Sequence, residues 1–414
     1  MKFDVFVLPA VPGTLEDRMR LKPIGRNTER VQQMIDELRK IAIYSDQAGI
    51  DAFSMTEHHL HTEGGEVSVN PCLIFADLAA RTKRLTFAPM SIVLTAQDPI
   101  RAAEDVALLD QLTQGRVAVA FARGYQKRWA DILGQKNNLK AATMDGSKID
   151  EQNRDIYEEN MEIVLKAWTQ DAWDHNGTHY QVPYPYKEGI KPWAGAEWTR
   201  LYGAEGEVDE DGTVRKVGVC PAPYQKPHPP IWAPFSVSEK TMLYCAERGI
   251  LPWVFHSKPD KFLAYCKLYR EVANKHGRNL GLGQNVGAVR ACTIGKTRDE
   301  AFKLACDTTG HLFYTYWNLF GFMEPFRRPE DPAAAPLNLK DEAQVTQRMI
   351  EDGYQLCGTV DDVKRQMEKL VKCHADGALE WFSWNFFYQG FSDWAEQERQ
   401  LELFCTKIMP EFHG

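Results

Sequence analysis

The sequence has 414 residues, of which 44% are hydrophobic and 26% charged, and its formal net charge is -8 at pH 7. This composition is typical of a globular protein, and the negative charge argues against nucleic acid as a partner. We expect neither a membrane span nor a secretory signal, because no apolar run approaches the ~20 residues that cross a bilayer. The nine cysteines are scattered without a CxxC pair, which favours free thiols and a cytoplasmic location.

Strand-like apolar runs alternate with helical segments along most of the chain. Residues 29–48 illustrate the helical pattern, because apolar side chains recur there at helical spacing and Gly49 follows as a stop signal. Residues 117–122 are apolar throughout, as expected of a strand buried on both faces. The strands are predicted at residues 2–8, 51–56, 85–94, 117–122, 230–235, 250–255, 286–294 and 379–386, and the main helices at 29–48, 72–80, 100–112, 154–168, 238–248, 260–276, 298–319, 341–352, 359–375 and 394–409.

This alternation predicts a parallel (β/α)8 TIM barrel that forms a single domain over residues 1–414. An open doubly wound sheet is the alternative fold. Residues 126–227 interrupt the pattern as an extended insertion between the fourth and fifth strands, and a hairpin is predicted within it at residues 206–219. Residues 324–344 are rich in proline and charge, and we expect them to be mobile. The barrel predicts a functional site at the C-terminal ends of the strands.

Two histidines follow directly on the second predicted strand, in the sequence Glu57-His58-His59. An imidazole with a pKa near neutrality suits proton transfer or hydrogen bonding to a developing anion. A metal site is conceivable because His61 is near, but no complementary ligand spacing occurs at the neighbouring strand ends, so we predict no metal. The alternative interpretation is a packed or surface histidine without a chemical role.

Two further positions could bind an anion. Arg123-Gly124 ends the fourth predicted strand, where a guanidinium can bind a phosphate, although a salt bridge at the barrel rim is an equal alternative. Ser238 and Thr241 begin the helix after the fifth strand, where backbone N–H groups favour anions, and Ser238 could also act as the N-cap. No GxGxxG follows a strand, so the sequence shows no nicotinamide site.

Together these motifs identify a family resemblance over residues 1–125 and 228–412. The strongest are Glu57-His58-His59, the run PIRAAEDVALLDQ at residues 99–111 with Gly115-Arg116, and Arg123-Gly124. On these motifs the chain resembles the bacterial luciferase-like family of flavin-dependent monooxygenases. Ala122 stands where the light-emitting members carry a reactive cysteine, so we do not expect bioluminescence.

The resemblance implies an FMN-dependent monooxygenase. Reduced FMN would come from a separate NAD(P)H:flavin reductase, and O2 would oxygenate a small apolar organic substrate, such as a ketone or aldehyde in a Baeyer–Villiger-type reaction. His58 corresponds to the family's catalytic histidine. The resemblance assigns cofactor binding to Glu57, Met90, Ser91, Arg123, Ser238 and Thr241, with the phosphate at the last three and a frequent non-proline cis peptide at Met90-Ser91.

Two other functions and one assembly are compatible with the same resemblance. The barrel is shared with oxidoreductases that use the deazaflavin coenzyme, and a non-catalytic flavin-binding subunit is the third possibility. Relatives are commonly dimers built through helices near residues 71–82 and 99–113, which predicts a homodimer here.

Overall fold

The structure is a computed structural model that describes residues 1–143, 145–372 and 379–413. The chain divides into two compact units. Unit 1 comprises Met1–Pro71, Asp77–Met90 and the chain from Ile231 onward, whereas unit 2 comprises Cys72–Ala76 and Ser91–Pro230. Within the described ranges, no helix combines the length and apolar character needed to cross a membrane.

The secondary structure follows the predicted alternation. The strands are β1 (Lys2–Phe6), β2 (Ala52–Met55), β3 (Thr86–Pro89), β4 (Ile92–Val93), β5 (Val119–Ala122), β6 (His175–Asn176), β7 (Gln181–Val182), β8 (Ile231–Ser236), β9 (Leu251–Val254), β10 (Gly287–Ile294), β11 (Gln355–Gly358) and β12 (Trp381–Asn385). The helices are α1 (Leu15–Arg20), α2 (Thr28–Ala48), α3 (Pro71–Ala79), α4 (Pro99–Thr113), α5 (Lys127–Leu133), α6 (Lys148–Thr169), α7 (Ala196–Tyr202), α8 (Glu239–Arg248), α9 (Pro259–Lys275), α10 (Arg298–Ala305), α11 (His311–Thr315), α12 (Glu342–Glu351), α13 (Val360–Lys372) and α14 (Trp394–Leu403).

Unit 1 contains a parallel sheet in the order β3-β2-β1-β12-β10-β9-β8, and β11 also pairs with β10. All eight residues of β10 are buried, as expected of a parallel strand that is covered on both faces. Three tryptophans of this sheet, Trp232, Trp253 and Trp381, pack edge to face with ring centroids 5.2 to 5.8 Å apart. This geometry is the one that aromatic quadrupoles favour, so the cluster contributes to a rigid sheet interior.

Unit 2 is organised around α6, which lies against α4 and β4. The side-chain amide of Asn160 donates to the carbonyl of Leu94 at 2.9 Å, and the Trp168 indole donates to the carbonyl of Ala103 at 3.0 Å. Strands β4 and β5 pair in parallel, while β6 and β7 form a short antiparallel hairpin. Because α6 supplies both donors, it is anchored to the residue after β4 and to α4 within this unit.

Several element boundaries differ from the sequence prediction. Helix α6 begins six residues earlier than predicted because Ser147 caps it, its hydroxyl accepting from the Asp150 N–H. The helix predicted at residues 298–319 is interrupted by a π-helical turn at Cys306–Gly310 and ends in a 3-10 turn at Trp317–Phe320. Strand β11 and the β6–β7 hairpin were not predicted. The C-terminal end predicted for the helix at residues 359–375 lies outside the described residues.

Two predicted irregular segments have defined contacts. The hairpin predicted at 206–219 has its turn at Gly212, with φ 83°, and its arms are joined by an isolated antiparallel bridge between Val208 and Val214 and by a hydrogen bond from the Arg215 N–H to the Glu207 carbonyl at 2.8 Å. Within residues 324–344, where composition predicted mobility, the Asp331 carboxylate accepts two hydrogen bonds from Arg348 at 2.8 and 3.1 Å. A buried bidentate ion pair of this kind restrains a loop.

Candidate functional site

His58 is buried in the loop that follows β2, where two contacts fix its orientation. Its backbone N–H donates to the carbonyl of Ser68 at 3.2 Å, which folds the loop back on itself. Its ring nitrogen Nδ1 lies 3.0 Å from the hydroxyl oxygen of Thr56, the residue directly after β2. The predicted catalytic histidine therefore lies at a strand terminus, and its Nδ1 has a defined hydrogen-bonding partner.

A buried carboxylate, Glu66, lies close to three other side chains, those of His58 and His61 in the same loop and that of the distant Trp317. Its Oε1 accepts from the Trp317 indole at 3.0 Å and lies 3.8 Å from His58 Nε2, while its Oε2 lies 3.4 Å from His61 Nδ1. We call these four residues the Glu66 cluster. Glu66 also has a positive φ of 50°, which is uncommon for a residue with a side chain.

The pKa of His58 is lowered from its ordinary value. Burial is the main cause; the nearby Glu66 carboxylate opposes it, and the neighbouring His61 and His59 act in the same direction as burial. His58 is therefore a neutral imidazole at pH 7, with a single ring proton. Among the residues that the structure describes, no group of His, Cys, Asp and Glu could hold a metal ion.

The neighbouring pair, Glu57 and His59, makes a separate interaction. Glu57 is buried, and its Oε1 lies 2.7 Å from His59 Nε2. The consecutive residues Glu57, His58 and His59 thus divide into one hydrogen-bonded pair, Glu57 and His59, and one imidazole, His58, that belongs to the Glu66 cluster.

A cavity of about 90 Å³ in unit 1 adjoins the Glu66 cluster. Its wall is mainly apolar, and His61, Glu66 and Gln389 are among the residues that line it. The apolar part is formed by residues that include Leu8, Ala10, Leu312, Tyr316, Trp317 and Phe387. An apolar cavity with a few polar groups is the usual form of a small-molecule site.

The start of α8 confirms the capping interpretation of Ser238. The Ser238 hydroxyl accepts from the Thr241 N–H at 3.1 Å and lies 2.9 Å from the Thr241 hydroxyl. Phe235, near the end of β8, has a positive φ of 44°. The cap is compatible with anion binding, because the first turn of a helix has N–H groups without intrahelical acceptors.

Met90 and Ser91 lie at the end of β3, where the resemblance suggested a cis peptide. Met90 is buried, and its N–H donates to the carbonyl of Met55 at 2.7 Å, which continues the β2–β3 pairing. The Met90–Ser91 bond is trans, and the cis peptides of the described chain all precede proline. The expectation of a cis bond was therefore wrong, and ordinary strand pairing accounts for the conformation.

Arg123 lies directly after β5 in unit 2 and forms an ion pair. Its Nη1 donates to Asp150 Oδ1 at 2.9 Å, and its carbonyl accepts from the Thr95 hydroxyl at 2.8 Å and from the Asn153 amide at 3.2 Å. The salt-bridge alternative is thus present, and binding of a phosphate by Arg123 stays a prediction.

Sequence reasoning missed Glu66 and its contact with Trp317. Glu66 follows Gly64-Gly65 in what reads as an ordinary turn, and Trp317 is 251 residues away in sequence. The one available signal was the presence of an acidic residue eight positions after His58 in a loop that begins at a strand terminus.

Comparison with known proteins agrees with the predicted fold and family. The family model for luciferase-like monooxygenases matches residues 1–377. The chain is 24% identical to 3,6-diketocamphane 1,6-monooxygenase of Pseudomonas putida over 96% of this chain and 98% of that protein. It is also 24% identical to the alkanal monooxygenase alpha chain of Photobacterium leiognathi over 70% of this chain and 68% of that protein.

A solved structure shows the same fold. The oxygenating constituent of 3,6-diketocamphane monooxygenase from Pseudomonas putida, a type II Baeyer–Villiger monooxygenase in complex with FMN, matches with a TM-score of 0.71 and 21% identity, covering 100% of this chain and 99% of that one. The prediction of a TIM barrel is therefore confirmed. Because the family model covers most of the chain, this protein belongs to the luciferase-like monooxygenase family.

Proposed function

We propose that this protein is the oxygenase of a two-component system, which uses reduced FMN from a separate NAD(P)H:flavin reductase and O2 to oxygenate a small apolar substrate. The observation that carries the proposal is a buried, neutral His58 close to a carboxylate that lines an apolar cavity of about 90 Å³. The similarity over nearly the full length to an oxygenase that binds FMN supports the choice of cofactor.

The described residues fit FMN at two positions. The capped start of α8 at Ser238 and Thr241 offers N–H and hydroxyl groups that suit a phosphate. Arg123 offers a guanidinium, although phosphate binding there requires the Asp150 carboxylate to be displaced or shared. Bound reduced FMN would supply the electrons and the site of O2 activation.

The protein's own residues would then control protons and water. The neutral imidazole of His58 can donate its ring proton to an oxygen atom of the reacting group and later recover it. Thr56 fixes the ring, and the mainly apolar cavity excludes water from a reactive intermediate. Met90, Ser91 and Glu57 are proposed to contact the cofactor, in keeping with the family resemblance.

We propose a substrate that is largely apolar and carries one carbonyl group. The cavity wall is mainly apolar, which favours hydrocarbon rings or chains. His61 lies at the wall as a hydrogen-bond donor for a carbonyl oxygen, and this favours ketones and aldehydes over unfunctionalised alkanes.

The test is oxygenation with isotopically labelled O2. The protein is given reduced FMN and labelled O2 with a panel of cyclic ketones, aldehydes and aromatics, and products are analysed by mass spectrometry for one labelled oxygen atom. Tight binding of reduced FMN without product from any substrate would favour the non-catalytic subunit. Binding of reduced deazaflavin and not of FMN, measured anaerobically, would favour the deazaflavin-dependent oxidoreductase.

We also propose a homodimer located in the cytoplasm. Leu73 of α3 and Leu112 of α4 are 71% and 62% exposed, and Leu108 is 49% exposed on the same helix as Leu112. Exposed leucines of this kind are typical of an interface. The cysteines that the structure describes are free thiols, as a reducing compartment favours.

A further inference from the structure

We propose that Glu66 is a positioning residue, whose carboxylate keeps the ring proton of His58 on Nε2 and directs it toward the cavity wall. The inference rests on the proposed function for its catalytic consequence. Its structural part, the coupling between Glu66 and His58, can be measured without a flavin.

The position of Glu66 in the loop is the first argument. Glu66 is 6% exposed and has a left-handed backbone with φ 50°, although it directly follows two glycines, a residue type that adopts such backbones easily. A side chain in this region costs stability and persists when surrounding contacts enforce it. Here the contacts are those of the carboxylate itself, because Trp317 donates to Oε1 at 3.0 Å from a distant part of the chain.

The tautomer of His58 is the second argument. The Thr56 hydroxyl lies 3.0 Å from Nδ1 and can donate to it, which leaves the proton on Nε2. Nε2 is also the atom that faces Glu66 Oε1, at 3.8 Å. This distance exceeds a hydrogen bond, so the coupling is electrostatic, and a proton on the nitrogen facing an anion is the favoured arrangement.

A pH titration of His58 must separate the effects of the other titratable side chains that lie near it. Glu66 and His61 face His58 from the same loop, and His59 acts on it from the adjacent position while paired with Glu57. Among these groups the Glu66 carboxylate favours the protonated form of His58, and His61 and His59 oppose it. Removing the Glu66 charge should therefore lower the titration midpoint of His58.

The experiment is a nitrogen-15 NMR titration of histidine-labelled, flavin-free protein. The His58 resonances are assigned by their loss in His58→Gln. In the unmodified protein we expect the Nε2–H tautomer, and in Glu66→Gln a midpoint at least about one pH unit lower, with a mixture of tautomers. Glu342→Gln is the matched control, because it removes the carboxylate of another His–Glu pair, His311 and Glu342, and should leave His58 unchanged.

A second variant keeps the test decisive if Glu66→Gln does not fold. Glu66→Asn removes the same charge, and asparagine tolerates a left-handed backbone. An unchanged His58 midpoint and tautomer in a folded charge-free variant would overturn the proposal. Product formation then separates a failure of this inference from a failure of the proposed function. Labelled product with no NMR change between the unmodified protein and the variant refutes only the role of Glu66. An NMR change in a protein that oxygenates no substrate refutes only the proposed function.

Where product forms, the same variants give a kinetic readout. The pH profile of kcat for Glu66→Gln should have its acidic limb at lower pH than the unmodified protein, with little change in the binding of reduced FMN. A merely structural role would lower kcat at every pH without moving the limb.

Discussion

Replacing Asp4 by asparagine should change how the stability of this protein depends on pH. Asp4 is completely buried in β1, and its Oδ2 accepts hydrogen bonds from the hydroxyls of Ser54 at 2.7 Å and Ser383 at 2.6 Å. Its Oδ1 has no hydrogen-bond partner among the described residues. Burial raises the pKa of Asp4 from 3.8 to about 7, and the two hydroxyls oppose that shift.

The sign and the size follow from linkage. The folded state holds the proton more tightly than the unfolded state, so the stabilising contribution is complete below pH 3.8 and is lost as pH rises through about 7. The interval between these two pKa values corresponds to up to about 4 kcal/mol in the free energy of unfolding. An asparagine side chain does not ionise, so the Asp4→Asn variant should not lose this contribution.

The pH dependence of stability is measured by urea unfolding followed by tryptophan fluorescence. The pH values run from about 4.5 to about 8 and so span most of the interval between the two pKa values of Asp4. The quantity to compare is the free energy of unfolding of Asp4→Asn minus that of the unmodified protein, because the other titrating groups cancel in this difference. We expect the difference to increase by several kcal/mol from the acidic to the alkaline end. The control Asp36→Asn removes a carboxylate at an exposed position on α2 and shows how much of the change the loss of any carboxylate produces. If Asp4→Asn gives a flat difference, Asp4 is ionised in the folded protein and the argument from burial fails.

Four further substitutions test the site and the assembly. His58→Ala should leave the dissociation constant of reduced FMN nearly unchanged and slow labelled-oxygen incorporation by roughly 10²- to 10⁴-fold; equal rates would remove His58 from the mechanism. Arg123→Ala should weaken FMN binding by roughly ten- to a hundredfold in a fluorescence titration, whereas Asp150→Asn should strengthen it by releasing the guanidinium; a loss in both variants would assign the pair to folding alone. Leu112→Glu should shift the protein from dimer to monomer in analytical ultracentrifugation, because a charge is costly in an apolar interface; an unchanged mass would place the contact elsewhere.

The sequence predicted what depends on local patterns. The periodicity of residues 29–48 and the glycine after them defined α2 to within one residue, and Ser238 was recognised as a cap because hydroxyls before a helix have that role. The extent of α10 was overestimated because a π-helical turn has no distinct periodicity. Strand β11 escaped prediction because it has only four residues, whose burial depends on its pairing with β10.

The candidate site was predictable only in part. His58 could be found because it follows a strand terminus, which has a fixed place in a barrel. Glu66 and Trp317 could not, because their contact depends on how two distant loops fold. Arg123 had two physically reasonable interpretations, and no pattern in the sequence identified Asp150 as its partner.

Two opposing effects act on the pKa of His58: burial lowers it, and the Glu66 carboxylate raises it. Burial alone would make the imidazole a poor base, because its protonated form would be a charge with little solvation. A carboxylate in direct contact would have the opposite result and would hold the imidazole permanently protonated. Glu66 lies at 3.8 Å, and Trp317 shares its Oε1, so the carboxylate offsets only part of the cost of burial. A histidine in this balance is neutral at rest and can still accept a proton, which the role proposed for His58 requires.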